Sequence, residues 1–257
     1  MDKIVSEIKQ KKELRSITDK VVLEQLQTYL KQHPKLKLDN PRSTDYKQMI
    51  KDVRAKLRRS YGLFREEKVK VKDFKEVKPI LLSHSSTKER LPFYPELYRQ
   101  IFKITGVPKI ILDLGCGINP LSIEYMKLKT LNYYAYDISE KEVELINRFF
   151  AEKKVSGKAQ VLDVSKADLV RKMPAADVAF MFKITDILDQ GKGHKKTEEI
   201  LLAVPARYVV ISFPTLTMSG KPMNAPRRKW MEWLCQRLGL EYKILEFSNE
   251  IFYVIKK

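Results

Sequence analysis

The chain has 257 residues, a net charge of +18 and a hydrophobic fraction of 44%, which suits one large domain or a domain with a smaller appendage. Two cysteines are too few for a disulfide framework or a zinc site, and the three histidines lack metal-ligand spacing, so we expect no metal. The sequence has no membrane-spanning apolar run and no signal-peptide pattern at its N-terminus, which favours a cytoplasmic protein with no membrane partner.

The positive charge is concentrated in the first part of the chain. Residues 1–108 hold 26 Lys and Arg against 14 Asp and Glu, whereas the remaining residues hold 24 against 18. An excess of this size indicates a polyanionic partner, most often nucleic acid. A lysine-rich proteome is the alternative source of part of it.

Residues 1–79 are predicted to form a basic helical domain. Its first clear helix has Thr18 or Asp19 as its cap and His33-Pro34 as its end. The apolar stripe that defines this helix consists of Val21, Val22, Leu23, Leu26 and Leu30.

A second helix is predicted from Lys47 to Tyr61, with Gly62 as its stop. Basic side chains recur along one of its faces at spacings of four, three and four residues, namely Lys47, Lys51, Arg54 and Arg58. A one-sided basic stripe can line several phosphates, so we expect these residues to bind RNA. A merely solvated face is the alternative.

The segment before the first predicted strand carries several polar residues. Ser86 or Thr87 is predicted to cap a helix that continues through Leu97 and Ile101. Capping accounts for the serines, but it does not explain why His84 and Arg90 flank the cap so close to the sheet.

The stretch Lys109-Ile-Ile-Leu-Asp-Leu-Gly-Cys-Gly-Ile-Asn-Pro120 is the most informative in the chain. A buried strand from Ile110 to Leu112 is followed by Asp113, a turn through Gly115 and Gly117, and a helix that opens near Pro120. This order is typical of a nucleotide-binding α/β sheet. The turn lacks the third glycine of dinucleotide sites and the Gly-Lys-Ser/Thr of phosphate loops. It resembles the first motif of class I S-adenosylmethionine methyltransferases.

Strands and helices alternate after this turn, and the chain ends in a hairpin. The further strands are predicted at 131–136, 159–162, 177–182, 208–212, 242–247 and 251–255. Asp137 ends the second strand, 20 residues past Gly117, where an acid accepts hydrogen bonds from ribose hydroxyls. Asp163 ends the third, where it could meet the adenine amino group. Each acid could instead cap a helix.

The end of the fourth strand bears on the atom that would receive a methyl group. It reads Phe182-Lys183-Ile184-Thr185, without the Asn/Asp-Pro-Pro-Tyr/Phe of exocyclic-amine methylation. Methylation of a pyrimidine C5 needs a cysteine nucleophile, and neither Cys116 nor Cys235 is suitably placed. Guanine N7 remains, because it has a lone pair and no proton to lose. A nitrogen of a small molecule or a protein stays open.

Several segments together resemble the small-subunit (16S) ribosomal RNA guanine-N7 methyltransferases of the aminoglycoside-resistance type. They occur in the family's order: His84-Ser-Ser-Thr-Lys-Glu-Arg90, Leu112-Asp-Leu-Gly-Cys-Gly-Ile-Asn-Pro-Leu121, Phe180-Met-Phe-Lys183, Val210-Ile-Ser-Phe-Pro214, Ser219-Gly-Lys221 and Asn249-Glu-Ile-Phe-Tyr253. The resemblance implies a Rossmann-like methyltransferase domain over residues 80–257 and an RNA-docking domain over residues 1–79. It also implies S-adenosyl-L-methionine as cofactor, S-adenosyl-L-homocysteine as product and structured RNA as partner.

The resemblance also implies roles for individual residues. Arg90 would hold the cofactor carboxylate, and Lys183, the catalytic candidate, would lie near the methyl group and the target base. The cofactor-binding set is His84, Arg90, Asp113, Gly115, Gly117, Asn119, Asp137, Asp163 and Phe182. The loop around Ser219-Gly-Lys221 would help to hold RNA, together with Arg227 and Arg228.

One loop departs from the family pattern. Where the family tends to have Gly-Met-Glu, an aromatic and Trp-Phe-Glu, this chain reads Pro222-Met-Asn-Ala-Pro-Arg-Arg-Lys-Trp230. The RNA target can therefore differ, and a guanine-N7 methyltransferase acting on transfer RNA is the first alternative. A methyltransferase for small molecules or proteins and a non-catalytic RNA-binding protein are the others. We expect a monomer.

Overall fold

The computed structural model describes residues 1–15, 17–58, 71, 73–189, 193–217 and 220–257. The strands in these ranges are β1 Ile110–Leu114, β2 Asn132–Asp137, β3 Ser156–Val161, β4 Ala176–Phe182, β5 Ala206–Pro214, β6 Glu241–Glu246 and β7 Glu250–Lys256. They form a seven-stranded sheet in the order β3-β2-β1-β4-β5-β7-β6. The first five strands are parallel, and β7 is antiparallel to both neighbours. The predicted α/β sheet with a terminal hairpin is confirmed.

The helices in the described ranges lie before the sheet and between its strands. They are α1 Asp2–Ile8, α2 Asp19–Gln32, α3 Thr44–Leu57, α4 Lys78–Leu82, α5 Ser85–Arg90, α6 Tyr94–Thr105, α7 Glu140–Lys153, α8 Ala167–Val170, α9 Thr185–Asp189, α10 Lys195–Ala203 and α11 Lys229–Arg237. Short 3-10 helices span Lys12–Leu14 and Asn119–Met126. No helix among the described residues is both long and apolar enough to cross a membrane.

Successive side chains of the strands point to opposite faces of the sheet, and both faces are buried. Ile111 of β1 packs with Leu97 of α6 in one core, whereas the next residue, Leu112, packs with Ile200 of α10 in the other. Helices cover each face, as parallel sheets require, and the carboxyl ends of the parallel strands meet at one edge.

The N-terminal helices have a core of their own. Ile8, Val22, Met49 and Val53 from α1, α2 and α3 are fully or almost fully buried there, and Ile138 of the sheet domain joins them. Phe74 and the helix α4 instead pack in the core of the sheet. The packing therefore changes between residues 57 and 74, whereas the sequence predicts a domain boundary at residue 79.

Two helical predictions are confirmed in part. Thr18 caps α2 through its hydroxyl, which accepts a hydrogen bond from the Val21 N–H, and His33 ends the helix. The helix α3 begins at Thr44, three residues before the predicted start, because the Ser43 hydroxyl caps it. Its predicted end at Tyr61 and stop at Gly62 lie outside the described residues.

The predicted continuous helix through Ile101 is wrong. The chain forms α5 and α6, separated by residues 91–93. Pro92 lies in this break and Pro95 in the first turn of α6, where proline starts a helix but cannot continue one. The helix expected near Pro120 is the 3-10 helix Asn119–Met126.

Candidate active site

Gly115 and Gly117 give the turn after β1 a backbone path that other residues rarely adopt. Their φ angles are 65° and 51°, in the left-handed region. A Cβ at Gly115 would lie 2.8 Å from Cγ2 of Ile184, and one at Gly117 would lie 3.0 Å from Nε2 of His84. The two glycines therefore let Ile184 and His84 approach bare backbone.

Asp137 joins the end of β2 to this turn. Its carboxylate accepts hydrogen bonds from the Gly117 N–H at 2.8 Å and from the Ser139 N–H at 2.9 Å. The residue is half-buried. Loss of water around the carboxylate raises the pKa of Asp137 to about 6, although the backbone hydrogen bonds act in the opposite direction.

Asp163 lies just past the end of β3 and is also half-buried. Its Oδ1 accepts hydrogen bonds from the N–H of Ser165 at 3.0 Å and from the Ser165 hydroxyl at 2.7 Å. The Leu162 N–H donates to the Asp137 carbonyl at 2.9 Å, which keeps the two strand ends together. We call Asp137 and Asp163 the β2–β3 side of the site. Carboxylates bound by neutral donors retain lone pairs for hydroxyl or amino groups of a ligand.

Asp113 and Asn119 form a buried polar cluster. Asp113 accepts hydrogen bonds from Asn119 Nδ2 at 2.9 Å and from the Tyr133 hydroxyl at 2.6 Å. Asn119 Oδ1 accepts from the Tyr94 hydroxyl at 2.8 Å and from Arg90 Nη1 at 3.2 Å. Burial raises the pKa of Asp113 to about 6. These contacts support the glycine turn from below, and the cofactor-binding roles of Asp113 and Asn119 stay predictions.

Arg90 is buried, with 1% of its surface exposed. Its Nε lies 3.0 Å from both carboxylate oxygens of Glu250, and its guanidinium lies 4.8 Å from the ring centre of Phe182. Burial alone would lower the pKa of Arg90, but Glu250 and Tyr94 more than offset it and the pKa is raised. Arg90 is thus already paired within the protein, and its contact with a cofactor carboxylate stays a prediction.

Lys183 follows β4 with φ of 55°, an uncommon value for a residue with a side chain. Its N–H lies 3.2 Å from the Ser212 carbonyl and 3.1 Å from the Ser212 hydroxyl oxygen. Its Nζ lies 3.1 Å from Glu250 Oε2 and also contacts the carboxylate of Glu89. We call Glu89, Arg90, Lys183 and Glu250 the β4–β5 side of the site, a group of two cations and two anions.

His84 occupies the N-cap position of α5 and is 8% exposed. Its Nδ1 hydrogen-bonds the Ser86 hydroxyl at 3.3 Å. Thr87 does not cap the helix, because its hydroxyl donates to the Leu81 and His84 carbonyls. The capping roles predicted for Ser86 and Thr87 are therefore wrong, and His84 meets the glycine turn as a packing partner of Gly117.

The basic stripe of α3 has two different halves. Lys47 and Lys51 are exposed. Arg54 donates to the Glu7 carbonyl at 2.6 Å and to the Ile8 carbonyl at 3.2 Å, so it covers the C-terminal end of α1. Arg58 pairs with Glu13 at 2.6 Å. The last two members of the stripe thus also hold the helical domain together, and binding of RNA by all four residues stays a prediction.

The loop before α11 shows the same division. Lys221 is exposed, and Arg227 is an exposed partner of Glu232 at 3.0 Å. Arg228 donates to the carbonyls of Ala225 and Pro226 and to that of Pro214 at the end of β5. Arg228 therefore fixes the loop, and its role in binding RNA stays a prediction. Ser219 lies outside the described residues.

Sequence reasoning missed the two carboxylates of the β4–β5 side. Glu250 is fully buried, and it also accepts a hydrogen bond from the Ser212 hydroxyl at 2.5 Å. A lone acid at the start of an otherwise apolar strand was a usable signal for it. Glu89 gave no such signal, because it lies in a run of charged residues, Lys88 to Arg90, of a kind that is common on solvated helix faces.

The arrangement is suited to hold a nucleoside and to place a second group beside it. Carboxylates lie at the ends of β2 and β3, and a cluster of balanced charge lies at the ends of β4 and β5. In the described ranges, no group of three or more His, Cys, Asp and Glu side chains is arranged to hold a metal.

Known proteins resemble this chain in sequence and in fold. The family model described as ribosomal RNA methyltransferase (FmrO) matches residues 42–254. A 16S rRNA (guanine(1405)-N(7))-methyltransferase of Proteus mirabilis is 27% identical over 82% of this chain and 85% of its own length. An enzyme of the same name from Frankia casuarinae is 29% identical over 68% of this chain, which spans 61% of that relative. The crystal structure of 16S rRNA methyltransferase RmtF in complex with S-adenosyl-L-homocysteine has the same fold, with a TM-score of 0.79 and 23% sequence identity. The match covers 100% of this chain and 97% of the RmtF chain.

Proposed function

The chain belongs to the ribosomal RNA methyltransferase (FmrO) family, and on this basis we propose that it methylates guanine N7 in small-subunit ribosomal RNA, with S-adenosyl-L-methionine as the methyl donor. The observation that carries the proposal is the family match over residues 42–254, which includes α3, the strands from β1 to β6 and all but the last two residues of β7. The curated relatives are named for transfer to guanine 1405 of 16S rRNA, and that position is proposed for this chain as well.

The residues at the edge of the sheet fit this cofactor. Gly115 and Gly117 let a ligand reach bare backbone, and Asp137 and Asp163 offer acceptors to ribose hydroxyls and to the adenine amino group. S-Adenosyl-L-methionine supplies a methyl group on a sulfonium sulfur, and the N7 lone pair takes it while the S–C bond electrons stay on sulfur. The anionic β2–β3 side also suits a cationic ligand.

Guanine N7 needs no general base, because it has a lone pair and no proton. The protein therefore contributes orientation and electrostatics rather than proton transfer. Lys183 is proposed to lie beside the methyl group and the target base, where its contacts with Glu89 and Glu250 fix its position. It acts as a positioning group in this scheme.

RNA is proposed to dock on the exposed cations, which are Lys47 and Lys51 of α3 and Lys221 and Arg227 of the loop before α11. Each contact with a phosphate releases counterions, so affinity should fall steeply with salt. Arg54, Arg58 and Arg228 support this surface from within.

Transfer RNA remains the second candidate substrate, because the loop from Pro222 to Lys229 departs from the family pattern. The test is transfer of tritiated methyl groups to intact small subunits, naked ribosomal RNA and unmodified transfer RNA. Borohydride and aniline then cleave the product wherever guanine carries an N7 methyl group. Label in the subunit with cleavage at one guanine supports the proposal, whereas label in transfer RNA replaces the substrate. Label without cleavage would mean that another atom is methylated.

A further inference from the structure

The strand order of the sheet reverses direction at β1. From β1, the sheet continues through β2 and β3 in one direction and through β4 and β5 in the other. Ligands of open α/β sheets bind in the crevice at such a reversal. Asp137 and Asp163 are proposed to take the cofactor on the β2–β3 side, which leaves the β4–β5 side for the target base.

Glu89 is the exposed carboxylate of the β4–β5 side. Its side chain is 47% exposed, whereas that of Glu250 is fully buried and that of Lys183 is 10% exposed. Lys183 contacts the Glu89 carboxylate through Oε2. A carboxylate has about four lone-pair positions, so Glu89 can accept further hydrogen bonds.

The position of Glu89 is fixed from two directions. Lys183 bridges it to buried Glu250, which lies 3.1 Å from Lys183 Nζ. The Asn249 amide donates to the Glu89 carbonyl at 2.9 Å and ties its backbone to the start of β7. An exposed carboxylate held this firmly loses little conformational freedom when it binds a partner.

We propose that Glu89 selects guanine by accepting hydrogen bonds from the N1–H and the N2 amino group of the target base. This inference rests on the proposed function. Guanine carries these two donors side by side, and a carboxylate presents two acceptors in matching geometry. Adenine has an acceptor at N1, which a carboxylate would repel.

The same contact would help the transfer. N7 lies on the opposite edge of the purine from N1 and N2, so a base held by Glu89 leaves N7 free to face the methyl group. Methylation at N7 places a positive charge on the purine, and the N1–H becomes a stronger donor. A carboxylate at that edge therefore binds the transition state more tightly than the substrate. Loss of this carboxylate should lower kcat as well as raise KM.

The test uses inosine, which lacks the N2 amino group of guanosine. Small subunits are reconstituted with guanosine or inosine at the target position, which borohydride and aniline cleavage has identified first. Methyl transfer is then compared for the wild type, Glu89→Gln and the control Glu96→Gln. Glu96 matches Glu89 in being ion-paired and 44% exposed, but its partner is Arg99 of the same helix.

We expect wild-type kcat/KM to be about tenfold higher for guanosine than for inosine, the size of one well-placed base contact. Glu89→Gln should lower kcat/KM for guanosine and bring the guanosine-to-inosine ratio of kcat/KM to about one. Glu96→Gln should keep the wild-type ratio. Glu89→Asp retains a carboxylate and should retain part of the preference. Calorimetry with S-adenosyl-L-homocysteine should give the same affinity for all variants, which also shows that they fold.

Two results would overturn the inference while leaving the proposed function intact. One is a wild type that methylates inosine as well as guanosine, a result that does not depend on any variant folding. The other is a Glu89→Gln protein that keeps the wild-type preference, in which case Glu89 is only a counter-ion of Lys183. A wild type that forms no N7-methylguanine in subunits would remove the proposed function and this inference together.

Discussion

The two sides of the crevice hold their carboxylates in different ways. On the β2–β3 side, Asp137 and Asp163 accept hydrogen bonds from backbone N–H groups and a serine hydroxyl. On the β4–β5 side, Glu250 pairs with both Arg90 and Lys183, and Lys183 also contacts Glu89. Within the described ranges, Asp137 and Asp163 form no ion pair, whereas the β4–β5 side has balanced charge.

This difference matches the two ligands that the proposed reaction brings together. The carboxylates of Asp137 and Asp163 attract a cationic methyl donor and accept hydrogen bonds from its hydroxyl groups. The neutral N–H and hydroxyl groups around these carboxylates hold them in place. Balanced charge on the other side suits a neutral base, while the partner of each buried ion prevents the large cost of an unpaired charge. The two sides should therefore respond to mutation in different measurable ways.

The largest effect is expected from Glu250→Gln, which should lower the free energy of unfolding by about 3–5 kcal/mol, because two cations lose their buried counter-ion. Chemical denaturation measures it. Glu246→Gln, at an exposed position of the neighbouring strand β6, is the control and should change stability little. Similar stabilities for the two variants would show that charge pairing does not hold the β4–β5 side together.

Asp137→Asn should instead leave the fold intact and weaken cofactor binding. Loss of a charged acceptor is expected to raise the Kd for S-adenosyl-L-homocysteine by about tenfold or more, as calorimetry at pH 7.5 would show. RNA affinity should stay unchanged. Asp168→Asn, which removes an exposed acid of α8, is the matched control. An equal loss of cofactor and RNA affinity would place Asp137 outside the cofactor site.

Cofactor affinity should also depend on pH. The pKa of Asp137 is raised to about 6, so in the free protein its carboxyl group is mostly charged above pH 6 and mostly neutral below it. Cofactor hydroxyls donate to the charged form, so affinity is nearly full at pH 7 and above and should fall about tenfold between pH 7 and pH 5. Asp137→Asn should abolish this dependence. A dependence that survives in this variant would point to Asp113, which has a similar pKa.

The smallest effect is expected in α3, where exposed lysines and paired arginines lie on one helix. Lys47→Ala with Lys51→Ala should weaken RNA binding a few-fold and reduce the slope of log K against log salt by about one to two, with no change in thermal stability. Arg54→Ala should lower the thermal midpoint, because the carbonyls of Glu7 and Ile8 lose their donor. Unaltered RNA affinity in the lysine variant would mean that Lys47 and Lys51 are only solvated.

Local patterns predicted the elements that position the site. The strands from β1 to β7, the turn through Gly115 and Gly117, and the cap at Thr18 all follow from side-chain periodicity and backbone sterics within a few residues. Asp137 and Asp163 could be found for the same reason, since each ends a recognisable strand. The break at residues 91–93 was equally local, and Pro92 and Pro95 were its unused signal.

The amino-acid sequence by itself thus determined the order of the sheet elements, the glycine turn and the excess of positive charge. Only the tertiary structure decided which charges remain exposed. Arg54 meets the end of α1, and Arg90 meets a glutamate 160 residues away. A periodic pattern shows which face of a helix is polar, but it cannot show which carbonyl or carboxylate the fold places opposite that face.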